Sequence, residues 1–472
     1  MTDPADLSAI AARRLIGAKR LSPVELVDAC IARTEARDGA INAMVARDFE
    51  RARAAARTAE AAVAAGDPLG PLHGLPVGVK DLTETAGLRT TWGSVLFRDH
   101  VPVRDDPVVA AIRAAGGIVL AKTNTPEFGA GAVTTNAVYG DTGNPFDPAK
   151  TSSGSSGGSA AALAAGMVTL ATGSDHGGSL RTPAAYCGVV GVRPSPGTVP
   201  TDKAMRGWSP LSVEGPMARG VEDAALLVSV MAGADAFDPL ARGLAPTDLW
   251  PLPPVDLAAL RIGVSEDLGF FPVDPVVRAA FADRVAALRG LARSVDAVTP
   301  PLGDPHATFE ALRGAAFLAS HRERLERAPD RVGPRIHENM ATAARLTAIE
   351  VVEAEKAQAR IFRAFRAMFR DVDLFVCPTV AVPPFDKTRP YVDAIAGRTM
   401  RTYIEWVGLT WGITLTASPV VALPTGLDGT GMPFGIQIVG PAGHDRFVMA
   451  AAAAIEAAFA RDPARARPIP PA

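Results

Sequence analysis

The sequence predicts an α/β fold, in which strands and helices alternate along the chain. Short apolar segments with the length and composition of buried strands recur, and segments rich in helix-forming residues separate them. This alternation is typical of a sheet covered by helices. The predicted strands are residues 75–79, 118–121, 189–192, 261–264, 374–377 and 435–439.

The first of the predicted helices carries its own start signal. Ser22 and Glu25 have the spacing of a capping box, and Pro23 occupies the first helical position. We expect this helix to run through Arg33. An alanine-rich helix is predicted next, at residues 54–65.

We expect one domain across residues 1–472. Average domain sizes suggest about three domains for this length, but no repeat, charged block or disordered-looking tract marks a boundary. The one shift in composition, at residues 240–255, contains four prolines and is predicted to be a surface connection within the fold. Residues 309–369 are predicted to be mainly helical and to cap the functional site.

Composition argues against nucleic acid or a membrane as the main partner. The net charge is −2, and lysine and arginine are dispersed along the chain. Residues 1–6 lack the regions of a signal peptide, and serine, glycine or proline interrupts the uncharged runs at 151–174 and 406–427. We therefore expect a cytoplasmic protein that acts on a small molecule, with a homodimer as a compatible assembly.

The cysteines indicate a reducing compartment. Cys30, Cys187 and Cys377 are odd in number, far apart and without the spacing of metal ligands. We expect no structural zinc and, for the chemistry described next, no catalytic metal and no cofactor.

Two glycine-lined serine segments carry the strongest functional signal. Residues 151–160 read Thr-Ser-Ser-Gly-Ser-Ser-Gly-Gly-Ser-Ala, and residues 173–181 read Gly-Ser-Asp-His-Gly-Gly-Ser-Leu-Arg. Segments of this composition are often flexible linkers. The first, however, leads directly into residues 160–170, which are predicted to form a compact helix of small residues. Such a helix packs in a core, so a linker is disfavoured.

The second serine segment has the composition of an oxyanion hole. Consecutive glycines let the backbone approach a ligand closely, so the N–H groups of His176, Gly177, Gly178 and Ser179 can converge on one oxygen. A carbonyl group under attack by a serine needs such donors.

Lys80 is the predicted general base. It follows the apolar strand predicted at residues 75–79, so its amine would emerge at a strand end of low dielectric, where the neutral form is favoured. A neutral lysine can accept a proton from a hydroxyl group. A lysine is ordinarily solvated, and it is the strand context that favours the catalytic interpretation.

Other catalytic and binding motifs fit less well. The chain has seven histidines, but none lies in a recognisable Ser-His-Asp motif. Residues 154–158 match the Gly-x-Ser-x-Gly string of a nucleophile elbow, yet prolines and polar residues precede them where that motif needs an apolar strand. A phosphate-binding P-loop requires Gly-Lys-Ser/Thr, which the sequence lacks.

Residue for residue, these motifs resemble the amidase signature family. Its members share a lysine, a serine that follows a cis peptide bond and a nucleophilic serine, which match Lys80, Ser155 and Ser179 here. The 24 positions that separate the two serines are the family's usual spacing. The resemblance implies that Ser179 is the nucleophile, that Ser155 relays protons to Lys80, and that the Gly154–Ser155 bond is cis.

The resemblance extends from about Leu7 to Ala460. It implies one large α/β/α domain with a mixed, mostly parallel sheet covered by helices on both faces. Further matching segments are residues 136–140 and 143–148 before the first serine, 183–194 as the strand after the nucleophile, and 417–426 and 433–440 as closing strands.

An aromatic group is the predicted substrate contact. Trp406 and Trp411 lie close together in the sequence, and we also assign Gly129 and Ala130 to the substrate site. Aromatic residues at such spacing often pack in a core instead. If they line the site, the acyl or leaving group is apolar or aromatic.

The leading functional prediction is hydrolysis of a carbon–nitrogen amide bond through an acyl-enzyme on Ser179, without metal or cofactor. The substrate is expected to be a small apolar or aromatic amide. Two alternatives remain open: a carbamate or aryl ester hydrolase with the same triad, and the amidase subunit of a tRNA-dependent amidotransferase. The intact set of Lys80, Ser155 and Ser179 disfavours a non-catalytic binding module.

Overall fold

An eleven-stranded sheet with helices on both faces forms the framework of the protein. The computed structural model describes residues 3–202, 207–234, 237–303 and 305–471. The strands of the large sheet are β1 (Met44–Arg47), β2 (Pro76–Lys80), β3 (Ile118–Thr123), β4 (Leu170–Asp175), β5 (Val190–Arg193), β6 (Val213–Ala218), β7 (Arg261–Val264), β8 (Ser294–Ala297), β9 (Leu374–Pro378), β10 (Val420–Leu427) and β11 (Pro433–Val439).

Helices occupy most of the connections between these strands. The α-helices of the described residues are α1 (Ala9–Gly17), α2 (Pro23–Ile41), α3 (Phe49–Ala65), α4 (Pro107–Ala114), α5 (Gly157–Ala164), α6 (Arg181–Cys187), α7 (Val221–Met231), α8 (Pro275–Arg289), α9 (Pro305–Arg327), α10 (Pro334–Ala343), α11 (Ala348–Met368), α12 (Gly408–Thr414) and α13 (Asp445–Phe459).

The sheet is mixed, as predicted, but it is less parallel than the sequence suggested. Its strand order is β1-β3-β2-β4-β6-β5-β10-β11-β9-β7-β8. The parallel neighbours are β3-β2-β4 and β9-β7-β8, while the central run from β4 through β9 and the β1 edge are antiparallel. The expectation of a mostly parallel sheet is therefore corrected. Central β10 and β11 follow each other directly in the chain, and such a short connection requires antiparallel pairing.

Both faces of the sheet are buried under helices. Successive residues of a strand point to opposite faces. A Cβ atom on Gly191 of β5 would meet Ala184 of α6, whereas the next residue, Val192, faces a gap lined by Val228 of α7 and Met449 of α13. The hydrophobic core thus lies in two layers, one on each side of the sheet.

Each of the six strands predicted from composition is confirmed to within two residues at its ends, and the closing strand expected at 417–426 begins at Val420. The capping box at Ser22 is present, and its helix continues beyond Arg33 to Ile41, where Asn42 ends it in a left-handed conformation. The predictions for two segments are wrong in part. The helix expected at 160–170 stops at Ala164, and residues 183–187, expected as strand, end helix α6.

Three consecutive helices, α9 to α11, account for most of the segment predicted to be mainly helical. Helix α9 packs against both α10 and α11, and it also contacts α12, so it reaches the segment that holds Trp411. Within the described part of the chain, no helix is both long enough and apolar enough to cross a bilayer.

Candidate active site

The candidate site forms where two neighbouring parallel strands end. Lys80 is the last residue of β2 and Asp175 the last residue of β4, and the two strands pair side by side. Since the carboxyl ends of parallel strands lie at the same edge of a sheet, both serine segments meet there. The Ser156 N–H group donates to the Ser179 carbonyl oxygen at 3.1 Å and joins the two segments directly.

The Lys80 amine contacts three serine hydroxyl groups. Its Nζ atom lies 2.8 Å from Ser155 Oγ, 2.8 Å from Ser156 Oγ and 2.9 Å from Ser174 Oγ. The Ser156 hydroxyl donates in turn to the Ser174 carbonyl at 3.4 Å. Among the described residues, the Ser155 hydroxyl has no other hydrogen-bond partner. Its proton is therefore available to a neutral Lys80, which has one lone pair.

Burial lowers the pKa of Lys80 to about 7, because the charged form loses its hydration, while the negative charges of Glu214 and Asp175 oppose the shift. The residue is only 1% exposed. A substantial neutral fraction of Lys80 is thus present near neutral pH, as a general base requires.

The peptide bond between Gly154 and Ser155 is cis, which confirms the expectation from the sequence. Thr182 holds this bond next to the second serine segment. Its Oγ1 atom lies 3.1 Å from both the Gly154 and the Gly178 carbonyl oxygen. The first turn of α6 therefore fixes the position of Ser155 relative to the turn that carries Ser179.

A buried carboxylate shapes the turn that carries Ser179. Asp175 accepts hydrogen bonds from the N–H groups of Gly178 at 2.8 Å and Leu180 at 3.2 Å. Arg181 binds the same carboxylate through two nitrogens, both at 2.9 Å, and Arg193 contacts it at 3.1 Å. All three charged side chains are fully buried.

Burial alone would raise the pKa of Asp175, but the guanidinium groups of Arg181 and Arg193 hold it well below the usual range for a carboxyl group. The carboxylate therefore stays charged in the folded protein. Its bonds to the backbone close the turn after β4 and set the direction of the following N–H groups.

The four predicted oxyanion donors differ in their availability. The Gly178 N–H group is engaged by Asp175. No described residue accepts a hydrogen bond from the N–H group of His176, Gly177 or Ser179. Gly178 has a φ of +132°, and a Cβ atom there would lie 2.2 Å from Thr410 Oγ1, so only glycine fits this position.

Ser179 opens onto a cavity, whereas Ser155 and Lys80 lie behind it in the protein interior. The cavity is bounded by both serine segments, by the loop around Gly129, by α9 and by the segment that leads into α12. Its lining residues are Phe128, Gly129, Gly131, Ala132, Gly154, His176, Gly177, Gly178, Ser179, Thr182, Phe309, Arg313, Phe317, His321, Tyr403, Ile404, Val407 and Trp411.

The residues predicted to contact substrate are divided between this cavity and the core. Gly129 and Trp411 line the cavity. Trp406 instead stacks on Tyr186 in the core with a centroid distance of 6.0 Å, and it is fully buried. Ala130 packs in a separate small cluster next to α9 and α10. Trp406 and Ala130 are thus not part of the cavity wall. Trp406 and Trp411 are five positions apart, a spacing that does not place two side chains on one helix face.

Two histidines line the cavity, but neither contacts Ser155 or Ser179. His176 Nδ1 lies 2.7 Å from Ser212 Oγ, and burial together with Arg313 and Arg193 lowers the pKa of His176 to about 3. Burial, with Arg324 and Arg313, lowers the pKa of His321 to about 4. Among the described residues, no histidine is hydrogen-bonded to the hydroxyl of Ser155 or Ser179.

Residues 309–369 were predicted to cap the site, but the sequence did not identify the side chains of α9 that line the cavity. Phe309, Arg313, Phe317 and His321 recur every four residues, so they lie on one face of this helix. That spacing was the available signal, but it does not reveal which site the face covers. Ser156 and Ser174 were also left without a role, although both lie within or beside the serine segments.

The sequence is similar to those of known proteins along almost its whole length. The profile of the family described as Amidase matches residues 25–449. The acylamidase of Rhodococcus erythropolis is 35% identical over 454 residues, which are 96% of this chain and 95% of the relative. A glutamyl-tRNA(Gln) amidotransferase subunit of Thermus thermophilus is 36% identical over 484 residues, covering 95% of this chain and 96% of the relative.

A solved structure shows the same fold. A bacterial aryl acylamidase described as a member of the amidase signature enzymes superposes with a TM-score of 0.88. The two chains are 27% identical, and the superposition covers 97% of this chain and 96% of the other.

Proposed function

Because the chain belongs to the amidase signature family, we propose that it hydrolyses an amide bond through an acyl-enzyme intermediate on Ser179. One observation supports this proposal most directly. A buried lysine of lowered pKa lies 2.8 Å from Ser155 Oγ, behind the serine that faces the cavity. This order fits a proton relay that ends at a nucleophile.

In the acylation step, Ser179 Oγ attacks the carbonyl carbon of the amide. Its proton passes to Ser155, and the Ser155 proton passes to the neutral amine of Lys80. The tetrahedral intermediate then collapses, the carbon–nitrogen bond breaks, and the departing nitrogen takes a proton back from Ser155, which Lys80 replenishes. The products of this step are a free amine or ammonia and an ester on Ser179.

Deacylation repeats the same proton transfers with water. Water gives a proton to the relay and attacks the ester carbonyl, and the bond to Ser179 Oγ breaks. Ser179 recovers its proton, and the acid leaves. Each half-reaction returns Lys80 to its neutral form, so no further proton donor is needed.

The oxyanion of both tetrahedral intermediates is proposed to bind backbone N–H groups of residues 176–179. The N–H groups of His176, Gly177 and Ser179 have no other acceptor among the described residues, and Asp175 engages the Gly178 N–H group. We therefore assign the first three as donors and Gly178 as the residue whose φ makes the turn possible.

The substrate is proposed to be an amide with an apolar or aromatic body. Phe309 and Trp411 stack at a centroid distance of 4.9 Å in the cavity wall, next to Phe317 and Val407. Aromatic walls of this kind suit flat apolar groups. Similarity to an acylamidase and an aryl acylamidase supports the same class.

The proposal is tested by measuring hydrolysis of matched aryl and alkyl amides, carbamates and esters. We expect turnover of amides by the wild type and none by Ser179→Ala at equal folded concentration. Turnover of carbamates or aryl esters with no turnover of amides would favour the related hydrolase activity of the same triad. Amide turnover that persists in Ser179→Ala would contradict the proposal.

A second candidate follows from the 36% identity to the amidotransferase of Thermus thermophilus. In that case, glutamine would be the amide substrate, and the released ammonia would pass to a partner protein. The two candidates are separated by assaying ammonia release from glutamine and by isolating the protein from its native source, where a stoichiometric second protein would support the amidotransferase. The cytoplasmic location and the homodimer remain predictions.

A further inference from the structure

Helix α9 places a buried arginine in the wall of the cavity. Arg313 is 8% exposed and lines the same cavity as Ser179. It lies four residues from Phe309 and four from Phe317, so the three side chains share one face of the helix. Arg313 therefore lies between the space that the substrate is proposed to occupy and a neighbouring cavity, which it also lines.

The contacts of Arg313 are with neutral groups. It donates to Asn339 Oδ1 at 2.6 Å and to the Tyr403 hydroxyl. Its Cζ atom lies 4.2 Å from the centre of the Phe317 ring and 5.3 Å from that of Tyr403. Within the described residues, no carboxylate oxygen lies within 4.0 Å of its nitrogens. Glu310, one turn earlier in α9, contacts His306 at 3.6 Å instead.

Two other buried arginines of the site, Arg181 and Arg193, differ from Arg313 because a carboxylate contacts them. Arg181 and Arg193 both contact the carboxylate of Asp175, which offsets one of their two charges. A buried charge without a contacting partner is costly, and an anionic group of a ligand would supply the partner that Arg313 lacks. Burial lowers the pKa of Arg313, but a guanidinium group keeps its proton in proteins.

A second arginine adds positive charge to the same wall. Arg335 of α10 lies behind Gly131, a residue that lines the cavity, and a Cβ atom on Gly131 would lie 2.7 Å from Arg335 Nη1. That nitrogen is buried and has no hydrogen-bond partner among the described residues. Its Cζ atom is 5.9 Å from the centre of the Tyr403 ring.

The cavity lining itself contains no carboxylate, and Glu310 and Glu338, whose charges act on Arg313 and Arg335, lie outside it. None of its lining residues is an aspartate or a glutamate, and the two lining histidines are held neutral near pH 7 by their lowered pKa values. The wall opposite the turn that carries Ser179 thus combines aromatic rings with a guanidinium group that no described carboxylate contacts.

We propose that Arg313 binds a carboxylate group of the substrate, so that the preferred substrates are amides with an apolar body and an anionic end. This inference rests on the proposed amide hydrolysis and specifies its substrate class. A planar guanidinium group suits a carboxylate because it can donate two parallel hydrogen bonds. The carboxylate belongs either to the acyl portion or to the amine portion of the substrate.

The test compares amides that differ only in a carboxylate. For the acyl side, the 4-nitroanilide of succinic acid is compared with that of butyric acid. For the amine side, 4-acetamidobenzoate is compared with 4-acetamidotoluene. In the wild type, we expect kcat/KM to be at least ~10-fold higher for the carboxylate member of one pair, as charged hydrogen bonds predict. The responding pair identifies the end that binds Arg313.

The preference is the kcat/KM of the carboxylate member divided by that of the neutral member of the responding pair. Arg313→Gln is expected to lower this ratio by ~10–100-fold, and Arg313→Lys is expected to retain part of it. Arg322→Gln is the matched control, because it removes the same charge from an exposed position of α9 and should leave the ratio unchanged. Circular dichroism checks folding of each variant. If Arg313→Gln does not fold, the wild-type ratios still decide whether a carboxylate is preferred, and Arg313→Lys tests the role of Arg313.

Three results would overturn the inference, and they are distinguishable. If the wild type hydrolyses the neutral member of both pairs as fast as the carboxylate member, or faster, carboxylate selection is refuted. The proposal of amide hydrolysis would still stand. A carboxylate preference that survives in folded Arg313→Gln would refute the role of Arg313. Absence of turnover for every amide, together with unlabelled Ser179 after treatment with a serine-directed phosphonate, would refute the proposed function itself.

Discussion

The Nζ atom of Lys80 lies 2.8 Å from the Oγ atom of Ser155, and both side chains are buried. This contact joins the end of strand β2 to the loop that precedes helix α5. It places a base of lowered pKa next to a hydroxyl group whose proton has no other described acceptor. The lysine can then replace the histidine that most serine hydrolases use.

The first prediction concerns the pH dependence of activity. Lys80 must be neutral to accept a proton, so kcat/KM should rise with pH, with a midpoint at about 7, and become flat above it. Lys80→Ala should lower kcat/KM by ~10²–10⁴ and remove this dependence. Lys80→Arg should be almost as inactive, because a guanidinium group does not release its proton.

A second buried lysine provides the control for this prediction. Lys122 lies on the neighbouring strand β3 and contacts Thr85 Oγ1 at 3.0 Å and the Thr83 carbonyl. Lys122→Met should change stability but retain the rise of kcat/KM with pH. If one histidine variant is as inactive as Ser179→Ala while Lys80→Ala stays near the wild type, the lysine mechanism is wrong.

The second prediction concerns Asp175, Arg181 and Arg193, the buried charged residues next to the turn that carries Ser179. Asp175→Asn leaves two buried guanidinium groups, Arg181 and Arg193, without a counter-charge. We expect a loss of about 3–5 kcal/mol in the free energy of unfolding and loss of activity. Asp371→Asn, at an exposed position, should change neither the free energy of unfolding nor the activity. Chemical denaturation measures the free energy, and a stability equal to the wild type would contradict the role of the cluster.

The carboxylate of Asp175 also makes the stability of the protein depend on pH. Its pKa in the folded protein lies below its value of ~3.9 in the unfolded chain. The contribution is thus fully present above that value and is lost as the pH falls through the lower pKa of the folded state. Thermal unfolding at a series of acidic pH values should show a smaller decline for Asp175→Asn than for the wild type.

The third prediction concerns the glycine in the turn. In Gly178→Ala, the new methyl group would overlap Thr410 Oγ1, and the φ of +132° is unfavourable for alanine. Because the turn then cannot hold its N–H groups in place, we expect kcat to fall by ~10²-fold or more. Gly39→Ala in α2, where nothing lies within 4 Å of the new methyl group, should be neutral or slightly stabilising. Wild-type kcat in folded Gly178→Ala would contradict this account.

The fourth prediction concerns chelators. The proposed mechanism stabilises the oxyanion with backbone N–H groups and activates Ser179 through Lys80, so EDTA should leave kcat/KM unchanged. Activity that disappears after chelation and returns with zinc or manganese would overturn the metal-free mechanism.

The residues proposed to be catalytic could be identified from the sequence because their signals are local. Lys80 ends an apolar strand, and Ser155 and Ser179 lie in glycine-rich segments whose composition suits close backbone approach. The side chains that line the cavity could not be predicted from the sequence in the same way. Arg313 meets Asn339 and Tyr403 only through the packing of α9 against α10 and the segment before α12. Such contacts depend on tertiary packing, which a helical repeat does not specify.

The predicted fold differs from the structure at helix α5, at strand β4 and in the centre of the sheet. The segment at 160–170 has few residues that disfavour a helix, yet Gly166 adopts a φ of +74° and ends α5 before β4 begins. Strand β4 itself contains threonine, glycine and serine, so it lacks the apolar composition of the strands that were predicted. The antiparallel centre of the sheet depends on which strands become neighbours, and spacing along the chain does not reveal this.

The central claim is that Ser179 forms the covalent intermediate while Ser155 only relays protons. The most direct test is to treat the wild type with a fluorophosphonate and to locate the adduct by peptide mass spectrometry. We predict one adduct per chain, on Ser179, and no adduct in Ser179→Ala. An adduct found on Ser155 alone, with Ser179 unmodified, would contradict this assignment.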